Sequence, residues 1–269
     1  MCDCEPTRRH VLGMLAAAGA ALVVGHERAA AAGSKSDSPS RAESIDPPTV
    51  PAIEVMPGLS IFPRAAWGAD LPPLGPIPRD DPKFLLVHHT ATSNNYSSSR
   101  DLIRSAYRYH TSPAKGWHDV CYHFFVGRDG DVWEARAGSL TGPVEADATG
   151  GNQGFAQLVC LLGNFTSVAP TPAAMEATAK VLAWLADRYR LDVSPAATTT
   201  FVSRGSNKLM ADAVVTTLII NGHRDMTQTA CPGDVLYSLL PDLRNRVIRY
   251  LDEWHGVLRP ALRLGPVTP

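Results

Sequence analysis

Short apolar runs bounded by polar or turn-forming residues predict the strands of a sheet. Runs of this length and composition are typical of buried strands. They occupy residues 84–87, 120–126, 158–162 and 218–221. The Asp-Gly sequence within residues 128–131 predicts a hairpin turn, so the second run should fold back onto residues 132–135.

Apolar residues at helical spacing predict three helices. A Ser-rich stretch, 97–99, can cap the first of them, and Thr171-Pro172 opens the second, which has the clearest periodicity. Pro241 should bend the third, because proline lacks the N–H that a helix needs in its interior. The predicted helices cover residues 100–110, 171–190 and 234–254.

The segment 192–217 does not follow either periodicity. It is polar, β-branched and rich in turn formers, and it predicts an inserted hairpin around residues 204–207. Strands and helices alternate irregularly over the rest of the chain, and one hairpin is explicit. We therefore predict a mixed α/β fold, with a central mixed β-sheet flanked by helices, in a single domain from residue 59 to residue 255.

The first residues have the three parts of an export signal. Arg8-Arg9 precedes an apolar stretch at 11–24, and the alanines at 29–32 offer a small-residue cleavage site. We expect a signal peptide over residues 1–32, and the paired arginines indicate the twin-arginine route to a secreted, cell-wall or periplasmic location. The alternative is a cytosolic N-terminus that happens to be rich in alanine.

Two further segments have little periodicity. Residues 33–58 are rich in serine and proline, which predicts a disordered linker and places the start of order near Leu59 or Ile61. Residues 256–269 should form a loose tail.

Composition and charge limit the partners. Hydrophobic residues make up 45% of the chain, which is ample for a core, and the formal net charge is −1. The absence of a basic run in the sequence argues against nucleic acid. No apolar run reaches the ~18–20 residues of a membrane span, so we expect no transmembrane segment and a monomer.

Metal-binding chemistry is indicated by GHRDMTQTACPGD, residues 222–234, which holds His223 and Cys231. Both are ligand types that zinc prefers. Pro232 and Gly233 should make a turn after Cys231, and this turn can open the next helix with proline at its first position. At least one more ligand must come from elsewhere, and the best candidate is FLLVHHTAT, residues 84–92, where another apolar strand ends in histidine.

The remaining cysteines leave two possibilities. Cys121, Cys160 and Cys231 lie beyond the predicted signal peptide, and an odd number leaves at least one outside any disulfide. Cys121 and Cys160 lie in apolar runs, which favours two small buried side chains over a disulfide between them.

Four segments together resemble the superfamily of peptidoglycan recognition proteins and zinc amidases. The likeness covers roughly residues 59–250, and it implies hydrolysis of the amide bond between N-acetylmuramic acid and L-alanine in peptidoglycan. FVSRGSN, residues 201–207, is similar to an insertion in secreted actinobacterial members. The four segments are VHHTAT (87–92), GWHDVCYHFFVGRDGDVWEAR (116–136), LLGNF (161–165) and GHRDMTQTACPGD (222–234).

This resemblance implies a Zn²⁺ cofactor and the groups around it. The implied metal ligands are His88, His223 and Cys231, which leave one position for water, as in catalytic zinc sites. The implied catalytic residues are Tyr122 and Thr229, whose hydroxyl groups can stabilise an oxyanion.

The same resemblance implies how a peptidoglycan stem peptide would bind. His89 is assigned to orientation or substrate contact. Gly116, Trp117 and Arg136 are expected to line the substrate site and to favour meso-diaminopimelate stems. An arginine can hold the additional carboxylate of that residue with two hydrogen bonds.

Two other functions remain open at the level of sequence. One is a module of the same fold that binds peptidoglycan without cutting it. The other is a cysteine peptidase with Cys231 as the nucleophile and His223 or His88 as the base. A metal chelator should abolish the amidase activity and leave a peptidase unaffected.

Overall fold

The computed structural model describes the backbone of residues 50–262 and the side chains of residues 50–256. The predicted signal peptide and most of the predicted linker lie outside these residues. Within the described part of the chain, no helix has both the length and the apolar character needed to cross a bilayer.

Nine strands and five helices follow one another within residues 50–262. In chain order they are β1 (Ile53–Met56), β2 (Leu59–Phe62), α1 (Ala65–Gly68), β3 (Phe84–His89), α2 (Ser99–His110), β4 (Phe124–Val126), β5 (Val132–Glu134), β6 (Ala156–Leu161), α3 (Pro172–Arg188), β7 (Thr198–Val202), β8 (Val214–Leu218), β9 (Ile220–Gly222), α4 (Asp234–Ser238) and α5 (Leu240–Leu262).

Seven of the strands form one mixed sheet in the order β1-β2-β5-β4-β6-β3-β9. Strands β4, β6, β3 and β9 are parallel to one another, and β2 is parallel to β5. The pairs β1–β2 and β4–β5 are antiparallel hairpins. Strands β7 and β8 form a separate two-stranded antiparallel sheet. The predicted mixed sheet flanked by helices and the predicted inserted hairpin are therefore confirmed.

The sheet divides the core into two apolar layers. Side chains alternate between the faces of a strand, so Leu85 and Val87 of β3 lie in the layer covered by α3 and α5. Phe84 and Leu86 lie in the opposite layer, together with residues of α2 and Phe201 of the β7–β8 hairpin. The hairpin is thereby anchored to the layer that also contains Cys231.

The predicted start of the ordered domain is too late. Strand β1 lies inside the segment assigned to the linker, and it pairs with β2 across the turn at Pro57-Gly58. Gly58 has φ +72°, a conformation that glycine adopts without strain. The two strands of this hairpin have four residues each, too few to stand out as an apolar run in a Pro-rich stretch.

Several predicted boundaries also change. The run predicted as a strand from residue 120 is regular only from Phe124. The last predicted helix is two helices that meet at Leu239, and Pro241 lies in the first turn of α5, where its missing N–H breaks no helical hydrogen bond. Helix α5 also continues past residue 255. Pro232 does not open α4, because Gly233 is the N-cap residue.

Candidate metal centre

The candidate centre lies at the carboxyl end of the parallel strands. Strand β3 ends with His88 and His89, and β9 is followed by a 3-10 turn, His223–Asp225. In the parallel pairing of β3 with β9, Val87 lies opposite Gly222. The next residues, His88 and His223, are therefore neighbours, and their rings are centred 4.5 Å apart.

Cys231 completes the group from the loop that follows the 3-10 turn. Its Sγ lies 3.6 Å from His88 Nδ1. The ligand atoms of His88, His223 and Cys231 all lie within 4.8 Å of one another. All three side chains are buried. This is the one such group of histidine, cysteine and acidic residues among the described residues.

These three side chains fit a tetrahedral zinc ion. Zinc bond lengths to nitrogen and sulfur place the two ligand atoms about 3.5 Å apart in that geometry, close to the 3.6 Å between His88 Nδ1 and Cys231 Sγ. Both ring nitrogens of His223 are buried without a hydrogen-bond partner among the described residues. Such atoms are costly, and a metal ion would provide one of them with a ligand bond.

Arg224 joins the segments that carry the candidate ligands His223 and Cys231, and it was not singled out from the sequence. Its backbone N–H donates to the carbonyl of Cys231 at 3.1 Å, and its guanidinium donates to Asp234 Oδ1 at 2.8 Å. The same guanidinium also donates to the carbonyl of Ala230. The loop between His223 and Cys231 is therefore closed at its base by one side chain and its own backbone.

Asp225 holds the 3-10 turn and was also missed. Its carboxylate accepts the N–H of Gly222 at 2.9 Å and the hydroxyl of Tyr237 at 2.6 Å. These bonds fix the backbone on both sides of His223. The sequence offered one signal for this role. Asp225 lies two residues after a histidine at a strand end, and acidic residues at such positions cap turns.

Tyr122 lies beside His88, one of the candidate ligands. Its ring is centred 5.0 Å from the ring of His88, and it is 1% exposed. Phe125 and His110 contact it edge-on at 5.5 Å and 5.7 Å. The structure thus brings Tyr122 to the centre, although the residue precedes β4 and does not lie within a regular strand.

Cys121 and Cys160 are buried thiols, as the pattern of apolar runs favoured. The Sγ of Cys121 lies 3.3 Å from His110 Nε2, and the ring of His110 contacts that of Tyr122 edge-on. Cys160 is paired in register with His88 in the neighbouring strand. Both residues therefore pack around the centre.

His89 and Thr229 contact the candidate ligand Cys231 from two sides. The imidazole of His89 lies on the opposite side of β3 from that of His88, where Nδ1 accepts the N–H of Phe165 at 3.2 Å. The backbone N–H of His89 approaches Cys231 Sγ at 3.4 Å. Thr229 Oγ1 accepts the N–H of Cys231 at 3.2 Å.

Of the residues expected to line the substrate site, Gly116 is exposed, whereas Trp117 and Arg136 are buried. Trp117 is buried and packs on His110 at 5.3 Å, and Gly116 precedes it with φ +64°. Arg136 is only 3% exposed, and its Nη1 donates to Asp147 Oδ2 at 2.6 Å and to the carbonyl of Val120 at 2.9 Å. The guanidinium of Arg136 is therefore already engaged within the protein.

His123 is a packing residue with a defined tautomer. Its Nδ1 accepts the N–H of Leu158 at 2.8 Å, so Nε2 carries the hydrogen that is donated to the carbonyl of Val144 at 2.7 Å. Burial lowers the pKa of His123 to about 3, so the ring is neutral at physiological pH.

Comparison with known families gives a match over most of the described residues. A family model described as N-acetylmuramoyl-L-alanine amidase matches residues 78–234. The human protein named N-acetylmuramoyl-L-alanine amidase is 33% identical over 190 residues. The match covers 67% of this chain but only 28% of the human protein, so this chain corresponds to a minor part of that relative.

Solved structures show the same fold. The Drosophila peptidoglycan recognition protein SD superposes with a TM-score of 0.53 at 22% identity, over 68% of this chain and 93% of that one. The human protein PGRP-IβC, solved in complex with a glycosamyl muramyl pentapeptide, gives 0.50 at 26% identity, over 67% and 93%.

Proposed function

The chain belongs to the N-acetylmuramoyl-L-alanine amidase family, and we propose that it hydrolyses the amide bond between N-acetylmuramic acid and L-alanine in bacterial peptidoglycan with a bound zinc ion. One observation carries this proposal. His88, His223 and Cys231 converge within 4.8 Å in a buried position at the carboxyl end of the sheet, with Tyr122 against one of them.

The donor set favours a catalytic metal over a structural one. Structural zinc sites usually have four protein ligands, whereas catalytic sites have three and leave a position for water or substrate. Zinc bound by these residues would lower the pKa of its water and polarise the scissile carbonyl. The thiolate of Cys231 would be stabilised by the N–H of His89, which already approaches Sγ at 3.4 Å.

The remaining groups have roles that follow from their positions. Tyr122 is adjacent to His88, so its hydroxyl is assigned to the oxygen that becomes negative when water adds to the amide carbon. Thr229 accepts the N–H of Cys231 and is assigned to the other side of the same oxygen. The C–N bond then breaks, and the amine of L-alanine leaves with a proton that came from the water.

Preference for meso-diaminopimelate stems is the finer part of the proposal. It depends on Arg136, whose guanidinium now binds Asp147. A substrate carboxylate would have to share this guanidinium or replace Asp147, which is 21% exposed. The Arg136→Lys variant should lose preference for diaminopimelate over lysine stems, because lysine cannot form the two-bond contact.

The test is hydrolysis of purified muropeptides by metal-loaded and chelator-treated protein, followed by mass spectrometry of the products. We expect free stem peptide from the metal-loaded protein only. The His223→Asn variant should be inactive and bind no zinc. The His255→Asn variant is the matched control, because His255 is an exposed histidine that pairs with Asp187 away from the centre.

Each other outcome identifies a different function. Zinc binding and muropeptide binding without cleavage would indicate a recognition module. Cleavage that survives chelation but is lost in Cys231→Ala would indicate a cysteine peptidase.

The location follows from the substrate. Since peptidoglycan lies outside the cytoplasm, we also propose export by the twin-arginine route. The paired arginines Arg8-Arg9 support this route, and replacing both with lysine should retain the protein inside the cell.

A further inference from the structure

The tip of the β7–β8 hairpin lies against the loop that carries two of the metal ligands. We define the clasp as Ser206-Asn207-Lys208 and the ligand loop as residues 223–231. Strands β7 and β8 form a two-stranded sheet that is separate from the seven-stranded sheet containing β9. The side chains of the clasp make the hydrogen bonds to the ligand loop.

Asn207 makes the central contact. Its Oδ1 accepts the N–H of Gln228 at 2.7 Å and the hydroxyl of Thr227 at 2.5 Å. Its Nδ2 donates to the carbonyl of Gln228 at 3.4 Å. The amide side chain thus binds both backbone groups of one residue, as a neighbouring strand would.

The flanking residues extend this contact along the ligand loop. Ser206 Oγ donates to the carbonyl of Met226 at 2.8 Å, and Lys208 Nζ donates to the carbonyl of Arg224 at 2.6 Å. The three clasp residues therefore bind the backbone of alternate residues between His223 and Cys231. Backbone contacts hold the path of the loop independently of its side chains.

The hairpin tip is itself fixed on its other side. The N–H of Arg204 donates to Asn152 Oδ1 at 2.9 Å, and Asn152 is fully buried. A Cβ on Gly151 would lie 2.0 Å from the carbonyl oxygen of Gly205, so the two backbones are in close contact. The clasp can therefore act as a support for the ligand loop.

We propose that the clasp, with Asn207 at its centre, is a positioning device that sets the separation of His223 and Cys231 for metal binding. The inference rests on the metal centre of the proposed function. The histidine and cysteine are separated by seven residues without regular secondary structure beyond the 3-10 turn. Groups that orient metal ligands typically change metal affinity by 10–100-fold when removed, so Asn207→Ala should weaken zinc binding by about tenfold.

Zinc affinity is measured by competition with a chromophoric chelator on the full chain. Asn207→Asp keeps the oxygen that accepts from Gln228 and Thr227, so it should restore most of the affinity. Met210→Ala is the matched control, because Met210 lies on the same hairpin tip and is 79% exposed. We expect its affinity to equal that of the parent.

Hydrogen exchange of the metal-free protein gives a second readout, independent of zinc. Asn207→Ala should accelerate exchange in the peptide that contains Gln228, and Met210→Ala should not. Unchanged affinity in Asn207→Ala, or an equal loss in Met210→Ala, overturns the inference. If the parent binds no zinc, the proposed function fails, and faster exchange at Gln228 then still decides whether the clasp holds the loop.

Discussion

Asp80 is a buried carboxyl group whose ionisation should make the fold less stable as pH rises. It is 9% exposed, and it accepts the amide of Gln157 at 2.8 Å and the N–H of Asp81 at 2.9 Å. Burial raises its pKa from 3.8 to about 7 in spite of these two bonds. The bonds are too few to replace the water that an ionised carboxylate loses on burial.

The size of the effect follows from the two pKa values. Well below pH 3.8 the carboxyl is protonated in both the folded and the unfolded state and imposes no penalty. From pH 3.8 to about pH 7 it is ionised in the unfolded chain but still protonated in the folded protein, so the free energy of unfolding falls by about 4 kcal/mol in total and then levels off. Between about pH 5 and about pH 8, the loss should be about 2–3 kcal/mol.

The Asp80→Asn variant removes this dependence. It keeps an oxygen that can accept a hydrogen bond, and its amide group has an acceptor available in Gln157 Oε1, which is buried without a partner among the described residues. Urea unfolding of both proteins across this pH range measures the difference in the free energy of unfolding. The free energy of unfolding of the variant should increase relative to that of the parent as pH rises, since the other titrating groups contribute equally to both proteins.

A difference that stays constant with pH would refute the reasoning, whatever its size. It would mean that Asp80 is ionised in the folded protein throughout, and that its hydrogen bonds offset the cost of burial.

Three other predictions test the centre and the core. Cys231→Ser should abolish the metal-dependent rise in Tm, which a thermal scan with and without chelator will detect; an unchanged rise would exclude Cys231 as a ligand. Asp225→Asn weakens two charge-assisted hydrogen bonds at Gly222 and Tyr237, and should cost about 2 kcal/mol in urea unfolding; an effect below experimental error would show that the turn holds without it. His123 has a lowered pKa, so its neutral form contributes stability above about pH 6.5 that is lost as pH falls towards 3. His123→Asn should flatten this decline in acid unfolding, and an unaltered slope would contradict the assignment.

Much of the fold follows from local rules that the sequence displays directly. Apolar runs, the Asp-Gly turn and the Thr171-Pro172 helix start each depend on neighbouring residues, and the structure contains each of these elements. The positions of His88 and His223 at strand ends follow in the same way. Parallel strands place their carboxyl ends together, so two strand-end histidines could be expected to meet.

Only the tertiary structure decided which residues, far apart in sequence, support the contact between His88 and His223. The order of the strands, with β9 beside β3, is set by packing between residues far apart in sequence. The engagement of Arg136 by Asp147, the burial of Asp80 and the contact of Asn207 with Gln228 depend on the same packing. Periodicity records which face of an element is apolar, but it carries no information about the partner that a polar side chain meets across the fold.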